Sequence, residues 1–202
     1  MDSLVGPIPD GWQEVLLATV CEVVAGPSSA TFKAGRAEQV HVPVITPKDL
    51  KHGKIVGGAK VPIASDAITR FDRYRVSVGD IVSVRTGLLG RHAIVDEPQE
   101  GWIIGTACFR LRPRLPVMSR YLLYYLGHPA VRDWLLRRAS TATVPSLNTA
   151  TLQALPVVVP PTATQAEISN ILSALDKKIM VHEQIVETTQ QLHEALLPLL
   201  LS

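Results

Sequence analysis

The sequence predicts an α+β protein: a mixed, strongly twisted β-sheet domain with short helices, followed by one long C-terminal α-helix that forms a coiled coil. Short β-branched segments separated by Gly, Pro and Asp make up much of the first 159 residues. The proline pair Pro160-Pro161 then marks a boundary. Beyond it, apolar residues recur at alternating steps of four and three. We therefore expect two domains, residues 1–159 and 160–202.

The strands of the first domain are predicted from short β-branched runs, some of which alternate apolar and polar residues. Residues 12–24 give mixed helical and extended signals, and both assignments stay open. Residues 48–60 contain Asp49, Gly53 and Gly57-Gly58, so turns are expected to dominate there. The predicted strands are residues 39–45, 81–85, 92–95, 102–104, 107–112 and 155–159.

Helices are predicted in the last third of this domain and beyond it. Residues 119–127 and 129–139 have helical apolar spacing, and Asn148 can cap a short helix that ends near Leu152. The run from Thr164 to Glu167 has the Ser/Thr-x-x-Glu form of a capping box. We therefore expect the long helix to begin at Thr164.

The long helix carries an apolar seam for a partner helix. About 34 residues would span roughly 50 Å, too long for its stripe to be buried on so small a domain. The partner helix can belong to a second copy or to another protein. His182, Thr189 and His193 interrupt the seam; they either fix its register or weaken pairing there. The apolar positions assigned to this interface are Ile168, Leu172, Leu175, Ile179, Val186, Leu192 and Leu196.

Charge is unevenly distributed along the chain. Residues 1–155 contain 18 Lys and Arg against 13 Asp and Glu, whereas residues 156–202 contain 2 against 5. This favours a first domain that binds a polyanion, although scatter in a small sample would give the same counts. Two widely spaced cysteines, no signal-peptide pattern and no run long enough to cross a bilayer predict a cytoplasmic protein without membrane contact.

Groups that perform catalysis or bind metals are not clustered in the sequence. His41, His52 and His92 are isolated, and the two cysteines have no metal-ligand spacing. No phosphate-binding loop, dinucleotide-binding glycine motif or hydrolase motif is present. We therefore expect no enzymatic activity, no cofactor and no metal.

Three basic segments are candidates for nucleic-acid contacts. The first is Arg85-Thr86-Gly87-Leu88-Leu89-Gly90-Arg91, in which two arginines flank a glycine-containing loop; a plain hairpin is the alternative. The second is Arg137-Arg138 followed by the hydroxyl side chains of Ser140, Thr141 and Thr143; an ordinary charged helix end is an equally good interpretation. The third contains Lys48, Lys51, Lys54 and Lys60 and suits phosphate contacts. The residues assigned as DNA-binding are Arg85, Thr86, Gly87, Arg91, Arg137, Arg138, Ser140, Thr141, Lys48 and Lys51.

A series of short motifs runs in a definite order along nearly the whole chain. These motifs include Ile8-Pro9-Asp10-Gly11-Trp12, Val78-Gly79-Asp80-Ile81-Val82, Gly105-Thr106-Ala107-Cys108-Phe109, Ser146-Leu147-Asn148, Leu155-Pro156, Pro160-Pro161, Gln165 and Leu175-Asp176. Each motif is loose, but in their order and spacing they resemble the DNA specificity (S) subunit of type I restriction-modification systems. Thr164 stands where the family usually has Glu, and the family usually has two recognition domains where this chain has one.

The resemblance implies a half-length specificity subunit: one target-recognition domain and one connecting helix. Such a protein would be non-catalytic and would direct an adenine-N6 DNA methyltransferase to double-stranded DNA, with or without a restriction subunit. Two copies joined through antiparallel helices would recognise an interrupted palindrome. A stand-alone DNA-binding regulator and a scaffold that has lost DNA recognition remain alternatives. The recognition sequence and its spacer do not follow from the sequence.

Overall fold

The computed structural model describes residues 2–32, 37–140 and 143–201, and the chain divides into two units, Met1–Ala166 and Glu167–Ser202. The strands are β1 (Asp2–Ser3), β2 (Gly6–Pro7), β3 (Gln13–Leu16), β4 (Cys21–Ala25), β5 (Gln39–Ile45), β6 (Leu50–Lys51), β7 (Gly53–Ile55), β8 (Ala59–Ala64), β9 (Ile81–Val84), β10 (His92–Ile94), β11 (Ile103–Ile104), β12 (Cys108–Pro113) and β13 (Pro156–Val159). The α-helices are α1 (Leu17–Val20), α2 (Ser29–Phe32), α3 (Ser119–Gly127), α4 (Pro129–Arg138), α5 (Thr149–Gln153) and α6 (Thr162–Leu200).

A six-stranded sheet forms the centre of the first unit. Its strand order is β4-β12-β9-β10-β7-β6, and the β7–β10 pair is parallel whereas the others are antiparallel. A second sheet has the order β11-β5-β8, and β13 pairs with β3. The predicted α+β class, with mixed sheets followed by a long helix, is therefore confirmed.

The second sheet has its own apolar core, built around Phe71. Phe71 comes from the 3-10 helix Ser65–Tyr74, is fully buried, and lies 5.0 Å from the ring of Phe32, centroid to centroid. Apolar packing on the second sheet therefore stabilises the first unit in addition to packing on the six-stranded sheet. The other buried members of this cluster are Val42, Val44, Ile63, Ala64, Ala67 and Ile103.

Sequence patterns located the longer elements and missed the short ones. Residues 12–24, left open above, contain β3, α1 and β4 in succession. Residues 48–60, where turns were expected, contain β6, β7 and the start of β8. That expectation was wrong because strands of two or three residues are too short to show an alternating pattern.

The long helix begins at Thr162, so the predicted start at Thr164 was wrong. The backbone N–H of Gln165 donates to the carbonyl of Pro161, 3.0 Å away, which places Thr164 inside the first turn. The Gln165 side chain accepts from Met118 N at 2.8 Å and donates to the carbonyls of Pro116 and Pro160. This glutamine therefore ties the start of α6 to the segment before α3.

Residues 167–200 of the second unit form one stretch of helix. The seam residues Leu175, Ile179 and Val186 are all exposed in the isolated chain. Leu192 and Leu196 are exposed as well. The predicted helix is therefore confirmed, and these five apolar positions are exposed, whereas Ile168 and Leu172 near its start are half-buried.

Two arginines on β12, Arg110 and Arg112, form ion pairs and hydrogen bonds within the first unit. The guanidinium of Arg112 binds Asp80 at two points, with Nε–Oδ1 and Nη2–Oδ2 both 2.8 Å, and Asp80 Oδ2 also accepts from Ser77 N at 2.8 Å. Arg110 donates to Glu22 Oε1 and to the carbonyl of Arg75, each at 2.7 Å. These guanidiniums therefore link β12 to neighbouring segments of the first unit.

Replacing Asp80 with Asn should destabilise the protein markedly. Asp80 is 2 % exposed and Arg112 is 38 % exposed, so we expect a loss of about 2–3 kcal/mol, below the value for a fully buried pair. Asp72→Asn is the matched control: its pair with Arg75 is exposed and should be worth under about 1 kcal/mol. Urea denaturation measures both, and equal losses would contradict this role of Asp80.

His92 should make the protein sensitive to acid. Its Nδ1 lies 3.0 Å from Ser83 Oγ, and burial lowers its pKa from 6.5 to about 4. The unfolded chain therefore takes up the proton first as the pH falls, and stability decreases from about pH 6.5 down to about pH 4.

Thermal denaturation between pH 4 and pH 7 tests this effect by comparing the natural protein with His92→Asn. The variant should lose less stability over that interval, whereas the exposed control His41→Asn should follow the natural protein. Parallel curves for all three proteins would contradict a neutral, buried His92.

Candidate nucleic-acid interface

The first candidate segment is the loop between β9 and β10. Its base is closed by the N–H of Val84, which donates to the carbonyl of Arg91 at 3.0 Å. Gly87 and Gly90 have φ angles of +93° and +84°, a backbone region that favours glycine. Leu89 is buried, which anchors the loop on the domain.

The second candidate segment follows α4. Ser140 and Ser146 close it: the N–H of Ser140 donates to the carbonyl of Ser146 at 2.9 Å, and their hydroxyl oxygens lie 3.0 Å apart. The N–H of Ser146 also donates to Ser140 Oγ at 3.2 Å. Thr141, assigned above as a DNA contact, lies outside the described residues.

Backbone hydrogen bonds join these two segments, which are far apart in the sequence. Gly87 N donates to the carbonyl of Pro145 at 2.9 Å, and Leu147 N donates to the carbonyl of Arg85 at 3.0 Å. Thr86 and Ser146 form a β-bridge between them. We call residues 85–91 together with 140 and 143–147 the paired loops. The structure thus brings two sequence-predicted segments into one surface.

Arg85 and Arg91 differ in their surroundings. Arg85 is half-buried: its Nε donates to the carbonyl of Leu147 at 3.4 Å, and its guanidinium carbon lies 5.7 Å from the centroid of the Phe109 ring. Arg91, at the other end of the loop, is exposed. Arg85 therefore helps to hold the paired loops together, whereas Arg91 presents its donors to solvent.

Arg132 is a further cation at this surface, and it was not among the predicted DNA contacts. A Cβ added to Gly90 would lie 2.9 Å from Arg132 Cγ and 3.1 Å from its Cδ, so the arginine stem runs directly over this glycine. Arg132 lies on α4 and is exposed. Its position on the polar side of α4 was visible in the sequence, but its closeness to Gly90 is a tertiary contact.

Arg137 and Arg138 lie in the last turn of α4, just before Ser140. Arg137 Nε donates to the carbonyl of Asp133 at 3.4 Å, and the Arg138 guanidinium carbon lies 4.1 Å from the centroid of the Trp134 ring. Both side chains are exposed. They complement the helix end and also extend the cationic surface beside the paired loops, so the two interpretations are compatible.

The two lysines assigned to DNA in the third segment, Lys48 and Lys51, lie at opposite ends of the β6–β7 hairpin. Lys51 pairs with Lys54 across the β6–β7 turn. Because β7 runs parallel to β10, with Gly53 opposite Ala93, this turn is at the same end of the sheet as Arg91. Lys48 belongs to the 3-10 helix Pro47–Asp49, which precedes β6 and lies at the other end of that hairpin. The register thus brings Lys51, and not Lys48, toward the paired loops.

An open depression of about 390 Å³ near the N-terminus is a poor site for a polyanion. Its carboxylates, Asp10 and Glu14, would repel phosphate. Its lining residues are Ile8, Pro9, Asp10, Gly11, Trp12 and Glu14.

The described part of the chain contains neither a metal-binding cluster nor a membrane-spanning helix. No group of three or more His, Cys, Asp or Glu residues is placed to hold a metal ion there. No helix among residues 2–32, 37–140 and 143–201 has the length and apolarity needed to cross a membrane.

Replacing Gly90 with Ala should displace Arg132 and weaken DNA binding. Gly101 is the matched control, because its φ is +77° but a Cβ there would meet nothing within 4 Å. Both substitutions should cost about 1–2 kcal/mol of stability through backbone strain. Only Gly90→Ala should also lower DNA affinity, measured by fluorescence anisotropy, to the level of Arg132→Ala. An equal DNA affinity for the two glycine variants would contradict a role for Arg132.

Comparison with known proteins identifies the family. Residues 9–191 match the family described as the type I restriction modification DNA specificity domain. A putative type I restriction enzyme MjaX specificity subunit from Methanocaldococcus jannaschii is 27% identical over 191 residues, which cover 90% of this chain and 43% of that protein. The chain therefore spans less than half the length of this relative.

Solved structures show the same fold. A structure from a study of complex assembly and conformational transition of the type I R-M system has a TM-score of 0.68 and 20% identity, over 95% of this chain and 45% of that one. The HsdS subunit from Thermoanaerobacter tengcongensis has a TM-score of 0.64 and 20% identity, and the match covers 89% of this chain and 41% of that subunit. The sequence match and the shared fold agree, and this chain belongs to the type I restriction-modification DNA specificity domain family.

Proposed function

We propose that this chain is the DNA-recognition component of a type I modification system and directs an adenine-N6 methyltransferase to a bipartite DNA site. The first unit binds the DNA, and the helical unit pairs with a second helix and docks the methyltransferase. The chain itself performs no chemistry in this proposal. A restriction subunit can join the same assembly without changing the role of this chain.

The observation that carries the proposal is the union of the paired loops. Backbone bonds at Gly87 and Leu147 fix the two loops against each other before any ligand binds. The exposed arginines Arg91, Arg132 and Arg138 lie on or beside them. Guanidiniums donate in pairs to phosphate or to guanine O6 and N7, and a preformed surface loses little entropy on binding.

The helical unit supports the proposal that two copies associate. Exposed apolar residues recur along α6 in a pattern suited to a partner helix, with Leu175 and Ile179 among them. Pairing two identical helices in antiparallel orientation would place two identical recognition domains in inverted order. The resulting DNA site is an interrupted palindrome, and helix length sets its spacer.

Arg91→Ala should weaken DNA binding without destabilising the protein. If Arg91 contacts a base, the loss is about 1–3 kcal/mol and the preference at one base pair is relaxed. If it contacts a phosphate, all duplexes weaken alike and the slope of log K against log salt falls by about one. Anisotropy titrations at several salt concentrations separate the two cases. Arg70→Ala, exposed in the segment Ser65–Tyr74, is the control; equal behaviour of the two variants would contradict the assignment of Arg91.

Methylation sequencing tests the proposed function as a whole. Cells that express the adenine-N6 methyltransferase proposed to act with this chain are compared with and without the chain itself. We expect N6-methyladenine at an interrupted palindrome only when the chain is present. An asymmetric motif would retain targeting and exclude two identical recognition domains, and unchanged methylation would favour a stand-alone regulator or a scaffold.

A variant of the helix serves as the internal control for the two-copy arrangement. Ile179→Asp places a charge in the seam and should abolish dimers in analytical ultracentrifugation together with methylation of the palindrome. Lys177→Asp changes a neighbouring exposed position and should preserve both. Loss of methylation while the dimer persists would contradict the role given to the seam.

A further inference from the structure

Two exposed apolar side chains lie at the outer side of the paired loops. Leu88 is 61 % exposed and Val144 is 50 % exposed. Leu88 directly follows Gly87 and Val144 directly precedes Pro145, and Gly87 and Pro145 are the two partners of a backbone hydrogen bond. Single exposed apolar residues are common on protein surfaces, but the antiparallel Thr86–Ser146 bridge puts these two at corresponding positions of the joined loops, and the exposed Arg91 lies on the same loop as Leu88.

The loop conformation holds Leu88 outward. The N–H of Leu89 donates to the carbonyl of Gly87 at 2.8 Å, which forms a tight turn around Leu88. Leu89 is 4 % exposed, so Leu89 faces the core whereas Leu88 faces solvent. The positive φ angles of Gly87 and Gly90 fix this arrangement, and Leu88 cannot reach the core without disrupting it.

We propose that Leu88, supported by Val144, contacts the C5-methyl group of a thymine in the major groove and makes the site selective for an A·T pair there. This inference rests on the proposed function. On a surface that binds DNA, an apolar side chain needs an apolar counterpart, and the thymine methyl supplies one at the base edges of the major groove. The guanidiniums nearby suit phosphates or guanines, so Leu88 would recognise a thymine that these arginines do not distinguish.

The test begins with selection of binding sites. The full-length chain selects duplexes from a random pool, and the selected duplex is then rebuilt with each thymine replaced in turn by deoxyuridine. This replacement keeps the base pair and removes only the C5-methyl group. At one position of the half-site, the natural protein should bind the deoxyuridine duplex about fourfold more weakly, the value of one buried methyl group.

The Leu88→Ala variant should no longer distinguish thymine from deoxyuridine at that position, while thymine-dependent differences elsewhere persist. Leu115→Ala is the matched control. Leu115 is 91 % exposed and follows the Pro113 end of β12, whereas the Cys108 end of β12 pairs with Val84 beside the paired loops. This variant should keep the fourfold difference. Because Leu88 is exposed, the variant is expected to fold, and its thermal denaturation curve checks this.

Several results would overturn the inference alone. They are a selected half-site without an A·T pair, no loss with deoxyuridine at any position, and the same fourfold difference in Leu88→Ala. A rise in 2-aminopurine fluorescence at the contacted step would also overturn it, because unstacking indicates insertion between bases. Selection of no sequence at all would remove the proposed function and this inference with it.

Discussion

The candidate interface depends on backbone pairing between two segments that lie about sixty residues apart in the chain. Gly87 bonds to Pro145, Leu147 bonds to Arg85, and Thr86 bridges Ser146. Backbone groups make these contacts, so exposed side chains of the loops such as Leu88 and Arg91 stay available for a ligand. A rigid scaffold that presents variable loop side chains is a common arrangement for binding sites. The central strands β9 and β10 supply that scaffold here.

Arginine has two separate tasks in this protein, and burial distinguishes them. Arg110 and Arg112 form ion pairs with Glu22 and Asp80, and loss of Arg112 would leave the buried carboxylate of Asp80 without its cation. Arg91 and Arg138 are exposed near the paired loops. Arg85 is intermediate, since it bonds to Leu147 and lies against Phe109. Counting basic residues in the sequence therefore overstates how many can meet a polyanion.

The sequence predicted the fold class and the longer elements because their signals are local. Strand β5 and helix α3 follow from apolar spacing, and α6 follows from its seam. The start of α6 was predicted wrongly because the side chain of Gln165 bonds to Met118 and Pro116, a tertiary choice that no local pattern contains. Residues 85–91 were picked out from arginines and glycines, and residues 137–143 were picked out separately from arginines and hydroxyls. Their union, and the position of Arg132 over Gly90, arise only in the folded chain.

Hydrogen–deuterium exchange of the full-length chain, with and without a duplex that carries its selected site, tests the central claim most directly. The account predicts slower exchange in both segments of the paired loops when DNA is bound, with no change around Leu115 at the other end of β12. Protection of only one loop would contradict a joined surface. Protection confined to the acidic depression around Trp12 would place the DNA elsewhere on the domain.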